Sequence, residues 1–144
     1  MLEIKNMQRI HAKEVISMMR VFYSSSAVLT NGSEEIFCND VEQCVNNSPY
    51  LEGYVFCEEN SILGYAMIAK SFSTEYGKPC IWIEDIYLKP ECCGKGIGSQ
   101  FFCFIEEKYQ GHIFRLEVEE ENERAVHVYK KAGFDILPYM EMKK

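Results

Sequence analysis

The sequence predicts a single α+β domain over residues 1–144, built on a mixed, mostly antiparallel twisted sheet with helices on both faces. Three observations predict it. Apolar segments of strand character in the middle of the chain, Leu51 to Glu58, Ile62 to Phe72 and Ile81 to Leu88, are separated by short turns, the pattern of an antiparallel meander. Segments of helical period flank that meander on both sides. The length, at 47% hydrophobic residues, suits one core and leaves no comfortable room for a second.

In chain order, Leu2 to Met7 alternates like a first strand, and His11 to Tyr23 places Val15, Met18, Met19 and Phe22 on one helical face. A second helix follows the break at Asn31-Gly32. Its N-cap is Ser33, with Glu34 and Glu35 in the first turn complementing the helix dipole; its stripe is Ile36, Phe37, Val41, Cys44 and Val45; Asn47-Ser48-Pro49 ends it. Glu59-Asn60-Ser61 and Gly77-Lys78-Pro79 are the turns of the meander. His112 to Val118 is a further strand. Asn122 then opens a helix that Gly133 closes, and a last strand is expected over Phe134 to Met142.

The most informative stretch runs from Ile81 to Phe101. Ile81, Trp82, Ile83, Ile86, Tyr87 and Leu88 are apolar on both alternating faces, as in a central strand covered on two sides. Glu84 and Asp85 interrupt the run, and alternation puts one acid on each side of the sheet. Buried acids are costly unless paired or used. After the strand, Gly94-Lys95-Gly96-Ile97-Gly98-Ser99 empties into a helix whose stripe is Ile97, Phe101, Phe104, Ile105 and Tyr109. Closely spaced glycines free backbone N–H groups to turn inward, and the helix N-terminus adds positive potential, so an anion site is the natural reading. A P-loop would need lysine before the hydroxyl residue, and a dinucleotide fingerprint would need glycine at Ser99.

Strand, turn and Gly94-Lys95-Gly96-Ile97-Gly98 before an amphipathic helix resemble the acetyl-CoA-binding segment of the GCN5-related N-acetyltransferase (GNAT) superfamily, usually R/Q-x-x-G-x-G/A; Cys93 departs from it where Arg or Gln is usual. Asn122-Glu123-Arg124-Ala125-Val126-His127-Val128-Tyr129-Lys130-Lys131-Ala132-Gly133-Phe134 likewise resembles that superfamily's N-x-x-A-x-x-x-Y-x-x-x-G-F signature. Taken alone, Asn122 is a helix cap, Tyr129 a core aromatic and Gly133-Phe134 a helix end with its hydrophobic contact. The element order agrees with the superfamily over nearly the whole chain. The likeness implies a GNAT-like sheet splayed at its central strands.

It also implies acetyl-CoA as co-substrate and direct acetyl transfer to a primary amine. The amides of Gly94, Lys95, Gly96, Ile97, Gly98 and Ser99 would cradle the pyrophosphate, with Cys93 at the cofactor-side position where the superfamily usually has an Arg or Gln side chain. The Ile86, Tyr87 and Leu88 backbone would pair with the pantetheine amides, Asn122 would bond the pantetheine arm, and Tyr129 would protonate the leaving thiolate. An amine of pKa near ~10 is protonated at neutral pH, so a base must take its proton. Glu84 is the first candidate and Asp85 the second, with a water relay open, and both acids are candidate contacts for the acceptor. A non-catalytic acetyl-CoA-binding sensor or scaffold of the same fold is the alternative. Gly77-Lys78, Ile81 to Asp85 and Gly94 to Ser99 locally look most like diamine and polyamine N-acetyltransferases, for which Glu117, Glu119, Glu120, Glu121 and Glu123 would line a cationic acceptor's approach.

The net charge of −7, with no basic stripe, disfavours nucleic acid and suits a small cationic acceptor. No apolar stretch reaches the ~20 residues of a bilayer span, so no membrane partner and a cytoplasmic location are expected, with a homodimer as the oligomer to test. Seven cysteines, several inside predicted elements, point to a reducing compartment. Without a C-x-x-C, and with His11, His112 and His127 far from Cys92 and Cys93 in sequence, no metal is expected.

Overall fold

A computed structural model describes all residues 1–144. Its sheet has five strands in chain order, β1 (Glu3–Asn6), β2 (Leu51–Glu58), β3 (Ser61–Ser73), β4 (Lys78–Leu88) and β5 (Ile113–Leu116). The first four pair antiparallel and β5 pairs parallel to β4, giving the mixed sheet expected. Parallel pairing needs a long crossover, and α3 (Ile97–Lys108) supplies it. The remaining helices are α1 (Ala12–Tyr23), α2 (Glu34–Val45) and α4 (Glu123–Lys131).

Alternation along the strands sorts side chains into two cores. Tyr54, Phe56, Ala66, Ile68, Ile81 and Ile83 meet Ile97, Phe101, Phe102 and Ile105 of α3 on one face. On the other, Val55, Cys57, Tyr65 and Met67 meet Val15, Met18 and Met19 of α1 with Phe37 and Val41 of α2. Local chemistry ends the helices where the sequence places their caps. The Ser33 hydroxyl accepts from the Ile36 N–H at 3.2 Å, and the Asn122 side chain accepts from the Ala125 N–H at 3.3 Å. Gly133, at φ 101°, lets the Phe134 N–H return to the Tyr129 carbonyl at 3.0 Å, while the Phe134 ring packs on Phe102.

Three expectations are corrected. The turn expected at Gly77-Lys78-Pro79 is already closed at Gly77 by its left-handed φ of 63°, and Lys78 and Pro79 pair in β4 opposite Ser73 and Phe72. The strand expected over His112 to Val118 contracts to Ile113–Leu116, because its pairing with β4 stops at Ile83 opposite Leu116 while β4 continues to Leu88. Beyond that point the two strands part, and this is the splay. The last strand expected over Phe134 to Met142 does not form. Pro138 has no N–H to give to a ladder, and β5 is only four residues long, so this segment has little edge to pair with. Past Phe134, which packs on the core, its apolar residues stay outside, with Ile136 75% and Met140 86% exposed.

Candidate active site

The site begins with an irregularity in the central strand. Ile68 on β3 faces Ile83, but the next residue back, Met67, faces Asp85, so Glu84 is an extra residue without a partner. This is a β-bulge, and it shifts the alternation by one. Ile81 and Ile83 lie in the α3 core; an unbroken strand would send Asp85 there too. The bulge turns it to the α1/α2 side instead.

There Asp85 is 4% exposed and accepts hydrogen bonds from Tyr23 Oη and Tyr65 Oη, each at 2.8 Å. Burial pushes its carboxyl up from the ordinary range, and the two hydroxyls pull it back by stabilising the charge. Both acids are thus near the bulge but in different settings, and Asp85 is not in the wall of the cavity described next.

That cavity, about 350 Å3, lies where β4 and β5 separate. Glu84, Ile86, Leu116, Asn122 and Tyr129 line it, with the stretch from Ala27 to Thr30 as a further wall. Glu84 keeps contact with solvent, yet protein packs around it closely enough that desolvation leads in raising its carboxyl pKa, followed by the charges of Asp85 and Glu141. Tyr129 packs edge-on against Phe102 and Phe134, with centroids 6.0 and 6.2 Å away. Burial raises its phenol pKa, keeping the hydroxyl protonated at neutral pH. Of the acids expected along an acceptor's approach, Glu117 and Glu119 line the cavity, while Glu120, Glu121 and Glu123 do not. Glu117 is raised by burial and by the Glu141 carboxylate beside it.

The sequence reading missed Glu141, Phe22 and Trp82 as wall residues. Glu141 carries no local signal, since only the return of the C-terminal segment brings it here. Phe22 was legible merely as helix stripe. Trp82 lies under the guanidinium of Arg115, its cross-strand neighbour on β5, at 4.6 Å from the ring centroid.

The glycine loop adjoins the end of β4. One tight helical turn, Pro90–Cys92, leads to Gly94 and Gly96, at φ 79° and 77°, a left-handed backbone that favours glycine. No backbone N–H from residue 94 to 99 donates to a carbonyl of the protein; the first helical bond is Gln100 N–H to the Gly96 carbonyl at 3.0 Å. A Cβ added at Gly94, Gly96 or Gly98 would meet nothing within 4 Å, so the glycine surface is open. Ile97, 4% exposed, anchors the loop in the core. Cys93 turns its thiol toward the Leu88 and Lys89 carbonyls, at 4.0 and 3.7 Å. Ile86, Tyr87 and Leu88 pair on their β3 side only, which leaves the edge facing the splay without a strand partner. These donors and this edge fit a phosphate-bearing, amide-containing chain such as acetyl-CoA, whose pyrophosphate suits unpaired N–H groups at a helix start.

Elsewhere, no three His, Cys, Asp or Glu are grouped as a metal site requires, all seven cysteines are free, and no helix is long and apolar enough to cross a membrane.

Similar proteins carry this architecture. A possible acetyltransferase from Clostridium difficile 630 superposes with a TM-score of 0.84 at 17% identity, covering 99% of this chain and 96% of that one. The aminoglycoside N-acetyltransferase AAC(6')-Iy, solved in complex with CoA, superposes with a TM-score of 0.81 at 14% identity, covering 100% and 94%. In sequence, a thialysine N-epsilon-acetyltransferase from Bos taurus is 39% identical over 83 residues, a stretch covering 56% of this chain and 48% of that protein. The match therefore spans about half the length of that curated relative. Residues 17–134 match the Acetyltransferase (GNAT) family, most of the chain and all of the site except Glu141, and the chain accordingly belongs to that family.

Proposed function

We propose that this chain is an N-acetyltransferase that moves an acetyl group from acetyl-CoA directly to the primary amine of a small cationic acceptor. The observation that carries the proposal is the single cavity at the splay, in which a carboxylate on a β-bulge, Glu84, and a protonated phenol, Tyr129, share one space beside the glycine loop. The loop N–H groups of residues 94 to 99 would hold the pyrophosphate, and the open edge at Ile86 to Leu88 would pair with the pantetheine amides. Asn122 accepts the α4 capping bond with its amide oxygen, which leaves its Nδ2 donors to bond the arm.

Acetyl-CoA supplies an acyl carbon already activated as a thioester, with a thiolate to leave. Glu84 takes the proton from the acceptor ammonium, directly or through water; a carboxylate raised toward neutral pH holds that proton better than an ordinary one. Tyr129 returns a proton to the sulfur side. Asp85, enclosed by two tyrosines, touches neither acceptor nor donor in this reading.

The acceptor assignment rests on charge. Glu84, Glu117, Glu119 and Glu141 line one cavity, and they would hold a second ammonium and so orient the reacting nitrogen. The name of the Bos taurus relative, which specifies an ε-amine, agrees with a terminal primary amine.

Thiol release from acetyl-CoA is the test, measured across diamines, lysine peptides, aminoglycosides and amino acids at two ionic strengths. Diamines should lead, with kcat/KM falling as salt rises. A neutral or acidic best acceptor would refute the charge assignment alone. Calorimetric binding of CoA with no thiol release from any amine would make the chain a binding module.

A further inference from the structure

The most completely enclosed charged group in the protein has no part in the chemistry just described. Asp85 is fixed by one hydroxyl from the last residue of α1, Tyr23, and one from β3, Tyr65. Tyr23 is followed at once by the stretch that reaches the cavity wall at Ala27, and preceded by Phe22, itself in that wall. Phe22 in turn packs edge-on against Tyr65 and Tyr87, with centroids 6.5 and 6.1 Å away. An apolar residue at 85 could fasten nothing here, and two buried hydroxyls would lose their acceptor.

We infer that Asp85 is a positioning residue: its carboxylate ties the end of α1, and with it the acceptor-side wall, to the β4 bulge, and keeps a negative charge beside Glu84. The inference rests on the reading of Glu84 as base. Around Glu84 stand Asp85 on its own strand, Tyr23 on α1, Asp40 on α2, Tyr129 on α4, Glu117 after β5 and Glu141 in the C-terminal segment. Asp85 is the one whose charge two hydroxyls hold in place inside the protein. Like charge nearby raises the pKa of Glu84, making it a better proton acceptor at neutral pH.

Carbon-detected NMR titration of the side-chain carboxyls, run beside pH profiles of kcat/KM, separates the possibilities. In Asp85→Asn the Glu84 titration and the acidic limb of kcat/KM should both move to lower pH, with plateau kcat falling about tenfold, since a weaker base transfers the proton less well. In Tyr23→Phe, where Tyr65 still holds the charge, the limb should stay and the acceptor KM should rise several-fold. An unmoved Glu84 titration in folded Asp85→Asn overturns the inference. A moved titration with an unmoved limb keeps the hold of Asp85 on Glu84 and overturns Glu84 as base. Should Asp85→Asn fail to fold, an acceptor KM in Tyr23→Phe equal to that of the unaltered protein overturns the inference by itself.

Discussion

Tyr129 has two separable halves, a ring wedged against Phe102 and Phe134 and a hydroxyl at the cavity. Phenylalanine keeps the first and deletes the second. Tyr129→Phe should therefore retain its melting temperature and CoA affinity while kcat drops by about 10²-fold, the lower end of what a positioned acid contributes. Undiminished turnover across the pH range would return Tyr129 to a packing role. Glu52 shows the opposite design, a carboxylate spent wholly on structure. It accepts from Tyr54, Tyr109, Lys70 and Lys108, joining β2, β3 and the end of α3, and these partners hold its pKa down at about 2 despite partial burial.

At the scale of elements, the close pairing of β3 and β4 and the open face of the glycine loop make contrasting demands on glycine. A Cβ at Gly64 would lie 2.2 Å from the Tyr87 carbonyl oxygen, a backbone atom that cannot step aside without moving the strand edge. Gly64→Ala should destabilise the fold by about 3 kcal/mol, at the upper end of overpacking costs, as read from denaturant midpoints; a loss below about 1 kcal/mol would show that the strands part easily. At Gly96 a Cβ meets nothing, and the left-handed φ costs a side chain only about 1–2 kcal/mol. Gly96→Asp should consequently fold, yet place a carboxylate on the proposed pyrophosphate cradle. Isothermal titration should find CoA binding severely weakened, and unchanged affinity would remove the pyrophosphate from this loop.

Over the whole molecule, clustered acids give the protein an unusual pH response. Burial and the charges of Asp85 and Glu84 push Asp40 up to about 6 from an ordinary 3.8. Between those values the folded protein holds a proton that the unfolded chain has released, so stability falls as pH rises from about 4 to 6. Glu84, Asp85 and Glu117 are raised and act in the same direction. Glu52, lowered from 4.5 to about 2, acts in the other: its contribution is present above 4.5 and lost as pH falls toward 2. Urea unfolding should find maximal stability near pH 4, on the order of 1 kcal/mol above the value at pH 7 after screening at half-exposed Asp40. Asp40→Asn should flatten that rise. A maximum at or above pH 7 in the unaltered protein would contradict the clustering.

Helix spans, caps and the existence of the meander strands were legible in the sequence because they depend on neighbours within a few residues: Ser33 and Asn122 cap where they stand, and Gly133 ends a helix by its own φ. The glycine loop and the residue 122 to 134 pattern were legible for the same reason, and with them the family. Register and return paths were not. The alternation that puts Glu84 and Asp85 on opposite faces holds only in an unbroken strand, and the bulge that decides their surroundings arises from pairing with β3, over a dozen residues away. Likewise, apolar residues from 134 to 142 look like a strand, but a strand needs a partner edge, and the short β5 offers little. Composition and local pattern thus determined which elements form and which chemistry the chain can support. Only the tertiary structure decided which carboxylate faces the cavity, which one the tyrosines enclose, and that Glu141 returns to join the wall, because each depends on contacts between segments that the local sequence does not encode.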